Sequence, residues 1–312
     1  MSKHTTLRVG GPARWFWAAT DVETLALTLA ACFTADIPYL FLGHGSNVLM
    51  ADSGYNGLII QNRCRSIEVG AITTCESGKS LGSLFHHAAK AGYSGLEWAV
   101  GIPGTVGGAL VSNAGAYRGN IGPLVRGVRV VDDGIDQSVS ADWMEFAYRD
   151  SKLRRTGVSR TAILSCTLEL TYEGDPEAIM ARAKEYQSQR RSKQPYAPSA
   201  GSFFKNVVSR ELADSLDSIT PGMRAAGVVP AGYLIEACGL KGATVGGAQV
   251  SDKHANFLIN GNNHATATDI FSLASMVKHA VQDRFGVTLE EEILYLGDWN
   301  GSVHDPVSPN AG

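Results

Sequence analysis

Apolar and polar positions change period several times along the chain, and each change predicts an element. Val22, Leu25, Ala26, Leu29 and Phe33 recur at helical spacing, which predicts a helix over residues 21–35 with those side chains on one face. Thr20 and Glu23 stand at its start with the spacing of a capping box, in which each side chain satisfies an orphan backbone donor. Apolar runs at 39–42 and 57–61 read as strands. A second helix is expected over 80–91, with Leu81, Leu84, Phe85 and Ala88 inward and Gly92 as its stop. Residues 127–131 and 163–171 read as further strands. In the latter, Leu164, Cys166, Leu168 and Leu170 alternate with small or polar neighbours, as in a half-buried antiparallel strand.

Asp175 followed by Pro176 is an N-cap with proline at the first helical position. The helix it opens, over 176–189, carries only a thin stripe of Met180, Ala183 and Gln187 and reads as a surface connector. Pro195 and Pro198 break the chain after it, and a domain boundary is placed there. The third region predicts a short helix at 231–238, strands at 244–250 and 257–260, and a helix over 269–285. Thr268 is its expected N-cap, Gly286 its stop, and Ile270, Leu273, Val277, Ala280 and Val281 its inner face. From Ser302 the chain is polar and is expected to be loose.

Charge and composition narrow the partners. With 27 basic and 30 acidic side chains and its densest basic patch only RRSK at 190–193, the chain lacks the broad positive footprint of a nucleic-acid binder. The N-terminus has no apolar core of a signal peptide. No run approaches the ~20 apolar residues of a membrane span, so no membrane insertion is expected. The five cysteines are scattered without a CxxC pair. They read as buried thiols in a reducing compartment, and no metal site is expected.

The 35 glycines fall in clusters. Gly43, His44, Gly45, Ser46 and Asn47 follow a buried strand, where successive amides can line an anion-binding concavity. Gly101, Ile102, Pro103, Gly104, Gly107, Gly108 and Ala109, continuing to Asn113, Gly115 and Tyr117, remove side chains along a second stretch. A tight turn accounts for the first cluster alone, and close helix–sheet packing for the second. Together they favour a ligand containing a diphosphate. Walker A and GxGxxG patterns are absent, which leaves a Rossmann nicotinamide fold unsupported.

Five ordered blocks then resemble one family: LGHGSNVLMAD at 42–52, GIPGTVGGALVSNAGAY at 101–117, YRDS at 148–151, AGSFFKN at 200–206 and LEEEI at 289–293. They resemble the UDP-N-acetylenolpyruvoylglucosamine reductases (MurB), in their shorter type II form. The resemblance implies an α+β fold with a two-part FAD-binding region of the vanillyl-alcohol-oxidase-like (PCMH-type) class and a C-terminal α/β substrate-binding domain. The implied divisions are 1–60, with 291–301 returning to it, then 61–197, 198–290 and a tail at 302–312. It implies noncovalent FAD, NADPH as reductant, a UDP-sugar substrate, a monomer and a cytoplasmic location.

Residue by residue, Ser202 matches the family's proton donor, and Arg149 and Glu292 its other two catalytic positions. An arginine fork can hold the substrate carboxylate bidentately. Tyr148, Lys193, Lys205 and Asn206 match substrate contacts, and Tyr117 and His254 are further candidates for that role. The two glycine clusters are the implied FAD contacts. Glu290 and Glu291 adjoin Glu292, so the register of the three is open. His44, Val207 and Leu294 depart from the usual glycine, proline and arginine. Two other readings remain at this point: a related flavoenzyme acting on another carboxylate, and a noncatalytic UDP-sugar or flavin-binding module.

Overall fold

The computed structural model describes residues 1–156 and 161–299. The tail at 302–312 and the last two residues of the returning stretch 291–301 lie outside them. The chain divides into a larger unit, Pro12–Gly45, Tyr55–Ser192 and the chain from Leu296, and a smaller one, Met1–Gly11, Ser46–Gly54 and Lys193–Tyr295.

In the larger unit, strand Tyr55–Asn62 is central to a parallel sheet between Ala13–Ala19 and Tyr39–Leu42. Parallel neighbours need a crossover, and helix Val22–Thr34 lies in the connection between the two flanking strands. It buries Leu25, Ala26, Leu29 and Cys32 in a core with Ala19, Ile60, Val131 and Leu164. Phe33, expected inward, is 40% exposed, because the buried stripe runs through Cys32 at the next turn. Asp21 caps this helix in place of Thr20, its side chain accepting from the Thr24 amide at 2.8 Å. Extended backbone at Asp21 starts the helix one residue later than a Thr20 cap requires.

A five-stranded antiparallel sheet runs in the order Ile135–Ser140, Val125–Asp132, Thr161–Glu169, Ile72–Glu76, Ile67–Glu68. Cys166 pairs with Val128 on one side and Cys75 on the other. The second core forms against this sheet and includes Leu81, Leu84, Phe85 and Ala88 of helix Leu81–Lys90. Gly92 follows that helix at φ +82°, the left-handed conformation that suits glycine. The helix capped by Asp175 extends over Pro176–Lys193 and buries Ile179 and Ala183.

The smaller unit is built on helix Ala267–Phe285, which buries Ile270, Leu273, Ala274, Val277 and Val281. It packs against helix Ala231–Ala237 and the antiparallel strands Thr244–Val245, Ala248–Val250 and Leu258–Asn260. The single strand expected at 244–250 is therefore a hairpin. Gly246 turns it at φ +54°, and a Cβ on Gly247 would lie 2.5 Å from the Ala265 amide. Thr266, two residues before the expected cap, closes a capping box with Asp269. Thr268 instead gives its amide and hydroxyl to Asp52, at 2.9 and 2.8 Å.

All five cysteines are unpaired, and four are buried. Among the described residues no group of three His, Cys, Asp or Glu side chains could hold a metal ion. No described helix is long and apolar enough to cross a membrane.

Candidate active site

In the smaller unit, the segment from Ser202 to Lys205 is held from both sides. The Phe203 amide donates to the Asn256 carbonyl at 2.8 Å, and its carbonyl accepts from the Glu292 amide at 2.8 Å. The Lys205 amide in turn donates to the Glu290 backbone carbonyl at 2.8 Å. Asn256 is 3% exposed, and its side chain grips Phe204 twice: Nδ2 donates to the carbonyl at 2.8 Å and Oδ1 accepts the amide at 3.0 Å. Phe203 and Phe204 are each 1% exposed, so half-buried Ser202 precedes a segment packed on both sides and bridged to Glu291 at Phe204.

This packing separates the three glutamates. Glu290 ion-pairs with Lys205, and Glu291 with Lys278 at 2.8 Å. Glu292 has its amide on Phe203 and its carbonyl on Asn47 Nδ2 at 2.9 Å. Asn47, read from sequence as a cofactor donor, thus uses that amide nitrogen on the Glu292 backbone. Lys205 lies beside Glu290, and Lys193 is exposed. Asn206 accepts the Ala231 amide through Oδ1 at 3.3 Å. His254 accepts the Asn256 amide on Nδ1 at 3.2 Å. Burial, above all, holds its imidazole below the ordinary 6.5. Leu294, where the family has arginine, continues the chain from Glu292 with its amide on Asn47 at 3.0 Å. Val207 pairs with Val229 in a short ladder. Ser46 falls in this unit too.

The larger unit carries the rest of the glycine clusters, and the two clusters touch. A Cβ on Gly43 would stand 2.5 Å from Thr105 Oγ1, and the Gly43 carbonyl accepts from Gln61 Nε2 at 3.2 Å. Close chain approach also explains Gly107, against Ser77, and Gly115, against Gly119 and Asn120. Gly108 donates its amide to Thr105 Oγ1 at 3.2 Å, in the first turn of helix Val106–Val111, which also buries Ala109. Asn113 joins two loops, donating to Ala147 at 2.7 Å and accepting from Gly122 at 3.1 Å. Internal packing therefore accounts for part of both clusters.

A different reason governs Gly45, Gly101 and Gly104, at φ +63°, +73° and +130°, where only glycine is unstrained. Ile102 donates to Ala99 at 3.1 Å in the same turn, ahead of Pro103. The amides of Gly101 and Gly104 meet no acceptor among the described residues. Unpaired amides on backbone without side chains suit phosphate oxygens, and these residues fit a dinucleotide such as FAD. His44, in place of the usual glycine, is half-buried. Burial, then the charges of Arg65 and Arg63, keep its imidazole below the ordinary 6.5.

Arg149 also belongs to the larger unit. It sits at φ +53°, strained for a residue with a Cβ. Its Nη2 donates to the Gly115 carbonyl at 2.6 Å, and its guanidinium lies 5.5 Å from the ring centroid of half-exposed Tyr148. Tyr117, at φ +51°, stacks on Tyr186 with centroids 4.3 Å apart and donates its hydroxyl to the Tyr186 carbonyl at 3.0 Å. Sequence reasoning missed two residues here and in the smaller unit. Arg190, visible only as part of a basic patch, has its guanidinium over Tyr117 at 5.6 Å. Asn256, two residues after the candidate His254, carried no local signal of its own.

Residues 193–296 match the model of the UDP-N-acetylenolpyruvoylglucosamine reductase C-terminal domain, and residues 13–134 match an FAD binding domain. The UDP-N-acetylenolpyruvoylglucosamine reductase of Acaryochloris marina is 41% identical over 299 residues, covering 94% of this chain and 90% of the relative. That of Moorella thermoacetica is 41% identical over 302 residues, covering 96% and 92%. The crystal structure of the Thermus caldophilus reductase superposes with a TM-score of 0.75 at 32% identity, over 94% of this chain and 96% of that one.

Proposed function

Since the chain belongs to the UDP-N-acetylenolpyruvoylglucosamine reductase family, we propose that it reduces UDP-N-acetyl-3-O-(1-carboxyvinyl)-glucosamine to UDP-N-acetylmuramate with NADPH in peptidoglycan precursor synthesis. It is an FAD-dependent oxidoreductase. When bound, FAD supplies the two-electron relay between NADPH and the enol ether. The amides of Gly101 and Gly104, with the turn through Gly45, would hold its phosphates. NADPH and nucleotide sugars are cytoplasmic metabolites, and the reading places the protein with them.

The chain's own contribution is to bind the carboxylate and manage one proton. Arg149 presents a planar fork to the substrate carboxylate, and that contact strengthens as negative charge develops on the enolate. The Ser202 hydroxyl donates a proton to the carbon bearing the carboxylate. A hydroxyl donates without fixing a charge beside the reacting carbon. Glu292 orients the same end of the substrate and supports proton delivery. Tyr148, Tyr117, Lys193, Lys205, Asn206 and His254 bind the remainder of the UDP-sugar.

The observation that carries this reading is the Phe203–Glu292 hydrogen bond. It keeps the backbone next to Ser202 alongside that of Glu292, which supports a donor and a carboxylate acting on one substrate. The test is NADPH oxidation by the FAD-loaded protein with and without the enolpyruvyl UDP-sugar. Substrate-dependent oxidation with a product two hydrogens heavier supports the reading. Oxidation that ignores the substrate, or prefers another carboxylate, contradicts it.

A further inference from the structure

Helix Pro176–Lys193 places Tyr186 and Arg190 one turn apart, so their side chains share a face. Tyr186 stacks on Tyr117, and the Arg190 guanidinium lies over the Tyr117 ring. The stem of Arg190 runs past Gly101, where an added Cβ would come within 3.2 Å of its Cδ. Ring, helix and glycine loop thus hold the side chain in place.

Held this way, Arg190 buries Nε and Nη2 with no hydrogen-bond partner among the described residues. These nitrogens form the edge of the guanidinium whose two N–H bonds run parallel, the edge that takes an oxyanion bidentately. A buried donor without an acceptor is costly, and a buried unpaired cation more so. Burial, first, and the like charge of Arg149 push the Arg190 guanidinium below its usual range, against an opposing contribution from Tyr117. Two arginines that repel one another and share a tyrosine-lined region call for a ligand with more than one anionic group.

We propose that Arg190, backed by Tyr117 and Gly101, is a phosphate subsite that grips the diphosphate of the nucleotide ligand, separately from the carboxylate assigned to Arg149. The inference rests on the functional reading above. Besides FAD, whose phosphates are assigned to the amides of Gly101 and Gly104 and which is already bound in the test below, two ligands of that reaction carry a nucleotide diphosphate, the UDP-sugar and NADPH, and the shared chemistry is the diphosphate oxygens.

The test is calorimetric titration of the FAD-loaded protein and its Arg190→Gln and Arg190→Lys variants with UDP, uridine and NADP⁺, alongside thermal denaturation without nucleotide. Arg190→Gln should weaken UDP about 10- to 100-fold, the range of a lost charge-assisted hydrogen-bond pair. Uridine binding should be unchanged, and Arg190→Lys should recover part of the loss, since it keeps the charge without the fork. The melting temperature of Arg190→Gln should equal or exceed that of the wild type, because the substitution removes a buried unpaired charge. A loss confined to NADP⁺ supports the subsite with the reductant as its source. Unchanged affinity for UDP and NADP⁺ overturns the proposal, as does a lowered melting temperature accompanied by lost FAD, which would make Arg190 structural or part of the flavin site. A wild type that turns over the enolpyruvyl sugar beside an Arg190→Gln variant of normal affinity refutes the subsite alone. Arg190-dependent UDP binding without turnover refutes the functional reading alone.

Discussion

Asn47 Nδ2 donates to the carbonyl of Glu292 at 2.9 Å, across 245 residues of chain. The Asn47 carbonyl in turn accepts the Leu294 amide at 3.0 Å. A turn that reads as cofactor-binding in the sequence thereby also supports the backbone of Glu292, the proposed catalytic carboxylate. Asn47→Asp replaces the donor with an acceptor facing a carbonyl. It should lower stability by about 1–3 kcal/mol, read as a shifted urea midpoint. Turnover should fall more than FAD content. Unchanged turnover with lost FAD would return Asn47 to the cofactor.

Arg149 combines a left-handed backbone with a guanidinium whose Nη2 is anchored on Gly115. Arg149→Lys keeps the charge and loses the fork. kcat/KM for the enolpyruvyl substrate should fall by about 10- to 100-fold or more, a loss of charge-assisted hydrogen bonding. Flavin absorbance per protein should stay near the wild-type value. Parallel losses in both measurements would make Arg149 a structural residue.

Asn256 should act on Ser202 through the Phe203–Phe204 backbone that it holds. Asn256→Ala removes both side-chain bonds to Phe204 and leaves two buried backbone groups unpaired. A destabilisation of about 2–4 kcal/mol is expected from two such groups, measured by urea denaturation. At temperatures where the variant is folded, the substrate-dependent half of the reaction should slow while NADPH reduction of the flavin does not. Equal slowing of both halves would confine Asn256 to general stability.

His44 and His254 both have imidazoles held below 6.5, with burial as the leading cause. The folded protein therefore favours their neutral forms. As pH falls below 6.5 the unfolded chain takes up protons that the folded chain does not, so stability declines. Above that value these two groups contribute no slope. Urea midpoints at pH 8, 7, 6 and 5.5 should be level and then fall, and a His44→Gln, His254→Gln double variant should fall less. Stability that rises on acidification through this window would contradict the assignment.

How much of this was legible in the sequence depends on the range of the interaction. The face of helix Leu81–Lys90 and the Asp175 cap follow from neighbours a turn apart, and periodicity finds such features. The caps at Asp21 and Thr266 were misplaced by one and two residues because several side chains in each stretch could serve. The choice was made by where the backbone turned and, for Thr268, by Asp52 on a distant segment. Ser202, Arg149 and Glu292 were reached through a resemblance, since no local pattern marks a serine as an acid. Long-range packing separated Glu292 from Glu290 and Glu291 through Lys205 and Lys278. Arg190 was hidden for the same reason: its significance lies in which nitrogens are buried without a partner.

If Ser202 delivers the proton to the substrate carbon, stopped-flow spectroscopy of Ser202→Ala should separate the two half-reactions. NADPH should bleach the flavin of the variant at near the wild-type rate, because that step needs no proton donor at the substrate carbon. Reoxidation by the enolpyruvyl UDP-sugar should slow toward the upper end of the about 10²–10⁴-fold range of general-acid assistance, with FAD content and the flavin spectrum unchanged. Equal slowing of the two halves would show that the serine supports structure, and an unaffected reoxidation would show that the proton comes from elsewhere.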